Sequence, residues 1–207
     1  MKKIAFLAIA AVLLTGCQSM SSGTIWAVSS SQDQFSDVET KMVTVGQWRS
    51  SGTIWTKSLN YYPFVGLQDG ELFVGIRSGG SYRIPTGTVQ MRVDANKAWT
   101  IEPSETPVYL APAPAQPAIP TANNDNATVD LAAVQAEALR NMSKALSPYT
   151  AATGEKAKSI LREMVAGKTL KYRSVGMNQP ASSTGEVVID ASFIQSLKLI
   201  GIDPDNI

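Results

Sequence analysis

Residues 64–76 read FVGLQDGELFVGI, and this stretch decides the fold. Two apolar runs, at 64–67 and 72–76, flank the pair Asp69-Gly70. An Asp-Gly pair favours the tight turn that joins two antiparallel strands, because both of its residues tolerate positive φ. The stretch therefore predicts a β-hairpin and, with it, an antiparallel sheet.

Strand-like segments continue on both sides of the hairpin. Residues 88–94 alternate strictly, with Val89, Met91 and Val93 on one face and polar side chains on the other, which is typical of a half-buried strand. Other short β-branched or aromatic runs, bounded by Gly, Ser or Asp, lie at 24–28, 42–45, 53–56 and 98–101. We expect residues 24–102 to form an antiparallel, sandwich-like, β-rich domain.

The hexapeptide SSGTIW occurs at 21–26 and again at 50–55. Two copies are too few for a solenoid, which needs at least three repeats. The simplest interpretation is two equivalent strand starts whose tryptophans, Trp26 and Trp55, pack into the same core. The alternative is a paired aromatic surface that binds a glycan or a lipid headgroup.

Residues 103–127 interrupt the strand pattern. Five prolines fall between Pro107 and Pro120, interleaved with alanine, and a polar cluster occupies 121–126. Such a composition favours extended, semi-rigid backbone over packed structure. We expect a Pro/Ala/Asn-rich linker here, or a strap that runs across the surface.

The region 128–207 carries the pattern of helices. Apolar side chains recur at helical spacing over 130–146, which predicts an amphipathic helix. They are Leu131, Val134, Ala138, Met142, Ala145 and Leu146. A second helix is predicted from Thr153 to Gly167, with Gly167 as its C′ residue. A third is predicted to begin at Asp190 as N-cap and to end at Gly201.

Two further strands are predicted in this region, at 168–175 and 186–189. Two strands alone are only marginally stable in water. We therefore expect them to extend the N-terminal sheet in a single α+β unit. A separate C-terminal domain over 128–207 is the alternative.

The N-terminus has the features of an export signal. Lys2 and Lys3 precede an uncharged apolar run at 4–14, which is too short to span a bilayer as a helix. The run ends in Leu-Thr-Gly-Cys at 14–17. These residues resemble a bacterial lipoprotein signal, and the resemblance implies that residues 1–16 are cleaved off and that Cys17 carries diacylglycerol, usually with an acyl group on its new amino group.

The predicted modification places the chain on a membrane without a spanning segment, because two or more acyl chains anchor a protein stably. Gln18 stands where the lipoprotein resemblance associates Asp with retention in the inner membrane, so we expect lipid anchoring in the outer membrane, with the folded part facing the periplasm. Residues 17–23 then form a short anchor and tether. Loss of Lys2 and Lys3 takes the net charge from +1 to −1.

Composition excludes several kinds of chemistry. The 207 residues include no histidine, which excludes Ser-His-Asp and Cys-His catalysis and histidine zinc sites. The only cysteine is the predicted lipid attachment site, so no free thiol remains for a disulfide or a nucleophile. A net charge near zero gives no reason to expect a nucleic-acid partner. Together with the absence of Ser-x-x-Lys, Gly-x-Ser-x-Gly and phosphate-loop motifs, this predicts a non-enzyme without metal or cofactor.

A glycine-rich stretch at 77–83 is the most site-like segment. Arg77, Tyr82 and Arg83 surround it, and Arg92 follows on the polar face of the next predicted strand. Arginines beside free backbone N–H groups can hold a carboxylate or a phosphate. The simpler interpretation is a hairpin loop with solvated arginines.

An aromatic cluster at 60–64 is a second candidate. Core packing, with Pro63 protecting a sheet edge, explains that cluster more simply.

Two segments carry a second resemblance. A strand, Pro-Thr-Gly and an alternating strand succeed one another over 71–94, and a helix is followed by Gly-Lys-Thr-Leu at 167–170 and later by Phe193. This order is similar to that of invasion-associated locus B-type periplasmic proteins, although the chain lacks that family's cysteines. The resemblance implies a β-sandwich-like, non-enzymatic envelope protein.

The leading hypothesis is a non-catalytic outer-membrane lipoprotein that binds another envelope protein through a sheet edge or an apolar patch. The first alternative is a glycan or small-anion binding module built on the loop between Arg77 and Arg83. The second is a cell-envelope hydrolase, which needs two carboxylates about 5–10 Å apart. The sequence leaves the oligomeric state open.

Overall fold

The computed structural model describes residues 26–32, 35, 37–45, 61–79, 84–112, 131–175 and 183–207. Over these ranges the chain has an α+β fold of two antiparallel sheets and three α-helices. The strands are β1 (Trp26–Gln32), β2 (Glu39–Val45), β3 (Tyr61–Gln68), β4 (Glu71–Ser78), β5 (Thr88–Val93), β6 (Trp99–Ile101), β7 (Tyr149–Thr153), β8 (Thr169–Val175) and β9 (Ser183–Val188). The helices are α1 (Leu131–Ala145), α2 (Gly154–Ala166) and α3 (Ala191–Leu199).

Each sheet combines strands from both halves of the chain. Sheet A has the order β1-β2-β3-β4-β7, and sheet B has the order β6-β5-β8-β9. The predicted strands near 168–175 and 186–189 are β8 and β9, and β8 pairs with β5. The strand β7, which the sequence pattern did not predict, pairs with β4.

The predicted β-hairpin with its turn at Asp69-Gly70 is confirmed. Gln68 pairs with Glu71, and the two residues between them have positive φ, 49° at Asp69 and 81° at Gly70. Positive φ at both central residues is the geometry that matches the twist of the two strands. This hairpin is β3–β4, and it occupies the middle of sheet A.

One hydrophobic core lies between the two sheets. The alternating side chains of β5, Val89, Met91 and Val93, are buried in it as predicted. Helix α2 adds four buried side chains, and α3 adds Phe193 and Leu197. Both helices therefore belong to the same core as the sheets.

A smaller cluster covers the opposite face of sheet A. It contains Phe64, Phe73 and Ala151 from the sheet, and Leu110 packs on them. Leu110 belongs to residues 103–112, which carry two short 3-10 helices, Pro103–Glu105 and Val108–Leu110. We call residues 103–112 the strap. The remainder of the predicted linker, 113–127, lies outside the described residues, as do residues 128–130.

The start of β1 is clamped by the last helix. Trp26 is buried, its ring lies 4.6 Å from that of Phe193, and its Nε1 donates to the carbonyl of Val188 at 2.9 Å. Packing of this tryptophan in the core agrees with the simpler interpretation of the repeat. The second copy, with Trp55, lies outside the described residues.

Asp94 joins the end of β5 to the segment after α2. Its carboxylate accepts the backbone N–H of Lys168 at 3.1 Å and that of Thr169 at 2.9 Å. Its φ of 48° is unusual for a residue other than glycine, although Asp tolerates it better than most. Two hydrogen bonds to a carboxylate thus fix the position of the turn after β5.

The predicted helix ends are partly confirmed. Asp190 caps α3, because its side chain accepts the N–H of Ser192, and Gly201 follows that helix with a φ of 90°. Gly167 does end α2, but the prediction that it acts as a C′ residue is wrong, since its φ is −96°. Glycine is needed there because a Cβ would lie 2.2 Å from Val93 Cγ1.

Pro63 does not protect a sheet edge, as the sequence suggested. It lies in β3, between β2 and β4. The pairing of β2 with β3 ends at Thr44 and Phe64, and the carbonyl of Pro63 accepts the Thr44 hydroxyl at 3.0 Å. A strand residue points its carbonyl and its N–H to the same side, so an N–H at Pro63 would face β2. The ladder between β2 and β3 has already ended at this position, and proline is therefore tolerated in the middle of the sheet.

Candidate functional site

The predicted site residues divide between described and undescribed parts of the chain. Cys17, the predicted lipid attachment site, lies outside the described residues, as do Tyr82 and Arg83 of the glycine-rich loop. Arg77 and Arg92 are described. The predictions for lipidation and for the full anion site therefore stay predictions.

Arg77 lies at the end of β4, on the face of sheet A that also carries Phe73. Its Nε donates to Thr44 Oγ1 at 3.3 Å, and its guanidinium carbon lies 5.8 Å from the ring centroid of Tyr62. A cation over an aromatic ring at this distance is a stabilising contact. Arg77 is thus held against the sheet.

Arg92 lies on sheet B, on the face opposite the buried Met91. Its side chain is exposed and donates to the carbonyl of Ala95 at 3.3 Å. Arg77 and Arg92 therefore lie on the outer faces of different sheets, with the shared core between those faces. The structure does not bring these two arginines together.

Neither a metal centre nor a membrane span is found in the parts of the chain that the structure describes. Within them, no cluster of three or more Asp, Glu, Cys or His side chains could hold a metal ion. None of the three described helices is long and apolar enough to cross a bilayer.

Helix α1 exposes the apolar stripe that its sequence places on one side. Val134 is 52% exposed, Met142 is 61% exposed and Leu146, just beyond the helix, is 52% exposed. The predicted amphipathic helix is therefore confirmed, and its stripe is exposed although amphipathic helices usually bury theirs. Among the helix residues whose burial is described, 133–145, Ser143 is the only buried one, and it lies about 100° around the axis from Met142.

The strap, rather than a sheet, is the support on which α1 rests. The hydroxyl of Ser143 donates to the carbonyl of Pro112, and Lys144 Nζ donates to that of Ser104 at 2.8 Å. Just after the helix, the buried Ser147 hydroxyl donates to the carbonyl of Leu110 at 2.9 Å. These polar contacts fix the helix in place while its apolar stripe faces solvent.

The strap also carries two exposed apolar side chains. Val108 is exposed, and Tyr109 is partly exposed with its hydroxyl donating to Glu71 at 3.1 Å. Burial raises the pKa of Tyr109 well above its usual range, and the negative charge of Glu71 raises it further. We call this set the strap–helix surface. It consists of Val108, Tyr109, Val134, Met142 and Leu146.

The strap–helix surface can contribute apolar contact to a partner. Side chains of this size contribute about 1.5–3 kcal/mol each when they pass from water to a fully buried position. Three of these exposed side chains, Val134, Met142 and Leu146, follow one side of α1, and contiguous exposed apolar patches mark interaction sites in soluble domains. The helical spacing in the sequence already placed Val134 and Met142 on one side of the helix. It could not show that this side is exposed to solvent.

Comparison with protein-family models, with curated proteins and with solved structures finds no match for this chain. The resemblance to lipoprotein signals and the resemblance to invasion-associated locus B-type proteins therefore remain hypotheses.

Proposed function

We propose that this chain is a non-catalytic lipoprotein of the outer membrane that faces the periplasm and binds another envelope protein. The observation that carries the binding role is the exposed apolar stripe of α1, a helix that the strap holds in place through polar contacts. The lipoprotein signal at 1–17 supports the location. The short tether of residues 17–23 keeps the folded part close to the bilayer.

A partner on the strap–helix surface buries Met142 and Val134, which project from one side of α1. Arg140 lies on the same helix and is exposed, but helical geometry places it on another side, about 160° around the axis from Met142. Contacts of the partner with α1 are therefore expected at positions 134 and 142 and not at position 140.

Site-specific photo-crosslinking in intact cells tests the binding role. A photoreactive amino acid at position 142 or 134 is expected to capture the same discrete envelope protein, and one at position 140 is expected not to. Met142→Lys is expected to abolish the adduct formed from position 134, because it places a charge in the apolar contact. Adducts of equal yield from all three positions, or none from any, contradict the proposal.

The anchor is tested separately. Mass spectrometry of the mature N-terminus is expected to find diacylglycerol and an acyl group on Cys17, and Cys17→Ala is expected to move the protein from the outer-membrane fraction to the soluble fraction. Unchanged fractionation of that variant contradicts anchoring at Cys17 and leaves the crosslinking result to be judged alone.

A further inference from the structure

Strand β1 forms one edge of sheet A, and within the described residues no hydrogen bond reaches the outward backbone groups in its second half. Residues 28–32 read Val-Ser-Ser-Ser-Gln and carry neither charge nor proline. Val28, Ser30 and Gln32 are exposed. Edge strands in soluble proteins are usually blunted by charges, proline, a bulge or a cover, because an open edge pairs with other strands.

The hydrogen bonds of Trp26 show which backbone groups of β1 point outward. Its N–H donates to Ser192 Oγ at 3.2 Å, and its carbonyl accepts the Ser196 hydroxyl at 3.1 Å, so α3 occupies the outward groups of this residue. Outward groups recur at every second residue of a strand. Val28, Ser30 and Gln32 therefore point their N–H and carbonyl groups away from β2, and within the described residues these six groups have no hydrogen-bond partner.

The other three edge strands differ from this half of β1. On β7, the N–H of Ala151 donates to Thr106 of the strap, and on β6 the carbonyl of Thr100 accepts Lys156 Nζ. On β9, the carbonyl of Val188 accepts Trp26 Nε1. Each of these edges, like the first half of β1, has a side chain on an outward backbone group. The rest of β9 also carries the charged Glu186, whereas residues 28–32 have neither a charge nor such a contact in the described part of the chain.

We propose that the open half of β1 pairs antiparallel with the same segment of a second copy of this chain, across a two-fold axis at Ser30. In this register Ser30 bonds to Ser30 of the second copy, and Val28 bonds to Gln32 of the second copy on each side. Each strand contributes six outward groups, and six hydrogen bonds between the two strands satisfy all twelve.

The axis at Ser30 follows from the limits of the open segment. Trp26 is already capped by α3, so pairing begins at Val28. Axes at Ser29 and Ser31 also keep the outward groups facing each other. However, an axis at Ser29 leaves Gln32 without a partner inside the segment, and an axis at Ser31 leaves Val28 without one. The absence of charge in residues 28–32 also favours this pairing. A charged residue on a two-fold axis would lie opposite the same charge of the second copy, which is destabilising.

A second copy is the occupant that this segment fits by its own symmetry. The free residues lie equally on both sides of Ser30, and an isologous interface requires a surface that is complementary to itself. The pairing does not depend on the proposed anchor or on the strap–helix surface, and it therefore stands or fails separately from the proposed function.

Single cysteines test the register in a Cys17→Ser background of the mature full chain, which otherwise lacks cysteine. Directly opposite residues in a hydrogen-bonded pair have Cα atoms about 5.5 Å apart, within the range of a disulfide. Ser30→Cys is therefore expected to give a disulfide-linked dimer on mild oxidation. Ser29→Cys alone and Ser31→Cys alone are expected to form no disulfide-linked dimer, because each cysteine lies about 7–8 Å from its own copy on the diagonal.

A mixture of the Ser29→Cys and Ser31→Cys chains is expected to crosslink, since residue 29 lies directly opposite residue 31 of the second copy. Crosslinking of Ser29→Cys or Ser31→Cys with itself, in place of Ser30→Cys, overturns the proposed axis. Equal crosslinking at all three positions indicates random collision and overturns it as well.

Self-association of the chain with an unsubstituted β1 is measured by analytical ultracentrifugation of the mature Cys17→Ser protein over a range of concentrations. Ser30→Lys places two ammonium groups on the axis and is expected to weaken the dimer at least about tenfold. Val188→Lys is the matched control, because it puts the same charge on an exposed edge strand of sheet B and is expected to leave the dimer unchanged. An unchanged circular dichroism spectrum shows that both lysine variants are folded. If the Cys17→Ser chain itself stays monomeric at every concentration, the proposal is overturned.

Discussion

Helices α1 and α2 have similar lengths, 15 and 13 residues, and both are amphipathic in sequence, but only one of them is buried. Ile160, Leu161 and Met164 of α2 are fully buried, whereas Met142 of α1 is mostly exposed. The difference comes from what precedes and follows each helix. Helix α2 connects β7 of sheet A with β8 of sheet B, so it lies beside the core that both sheets share.

Helix α1 leads only into β7, the edge strand of sheet A, and the strap already covers the neighbouring face of that sheet. The part of sheet A next to β7 is therefore already covered and does not bury the stripe of α1. Periodicity in a sequence thus identifies a helix and its apolar side, while the connections of the helix determine whether that side meets the core.

The largest effect is expected from Met164→Ala in α2. Met164 is fully buried, and truncating a buried methionine removes apolar contacts and leaves a cavity, which costs about 2–5 kcal/mol. Urea unfolding followed by circular dichroism measures the loss. A change below about 1 kcal/mol contradicts the assignment of α2 to the shared core.

The next effect is expected from Asp94→Ala, which removes the acceptor of the Lys168 and Thr169 N–H groups after α2. Hydrogen bonds to a charged group contribute about 1.5–3 kcal/mol, and we expect a loss of unfolding free energy of that size. Asp94→Asn keeps one acceptor oxygen and tolerates the positive φ, so its loss is expected to be smaller. Equal losses in the two variants contradict a role for these hydrogen bonds.

A somewhat smaller effect is expected from Ser147→Ala, just after α1. The Ser147 hydroxyl donates to the carbonyl of Leu110 and accepts the N–H of Tyr149, and its removal leaves both buried groups without this partner. The expected loss is about 1–3 kcal/mol in the same unfolding assay. Ser31→Ala, at an exposed serine of β1, is the control and is expected to change stability by less than about 0.5 kcal/mol.

The smallest effect is expected from Met142→Ala, which makes in α1 the same substitution as Met164→Ala makes in α2. Because Met142 is exposed in the isolated chain, the free energy of unfolding is expected to change by less than about 0.5 kcal/mol. The contrast between the two methionines sharpens the comparison of the helices directly. A loss of several kcal/mol at Met142 means that α1 is covered within the chain.

Much of the fold follows from local residue chemistry. The turn at Asp69-Gly70, the alternation of Val89, Met91 and Val93, and the N-cap at Asp190 are each specified by residues close together in sequence, and each was predicted. These features need no knowledge of distant partners, because they depend on backbone φ, on the two-residue repeat of a strand or on a local hydrogen bond.

Strand β7 could not be predicted in this way. It has only five residues, two of them alanine, and it forms because β4 accepts it as a neighbour. Gly75 of β4 makes this possible, since a Cβ there would lie 2.0 Å from the carbonyl oxygen of Thr150. The requirement is a close approach between residues 75 positions apart, which no local pattern records.

The candidate surfaces were predictable to different degrees. The stripe of α1 was visible in the sequence, but its exposure depends on the position of the strap. The open half of β1 depends on α3, which caps Trp26 and reaches no further along the strand. Both surfaces are defined by where a neighbouring element ends.

The clamp on Trp26 also sets the order in which this chain completes its fold. Its hydrogen bonds join residues 162, 166 and 170 positions apart, so the first strand acquires its cover only when the last helix is present. Contacts of such long range slow folding, because a large loop must close before they form. If the chain is exported unfolded, as we propose from its signal, we expect the clamp to form only after the C-terminus has crossed the membrane.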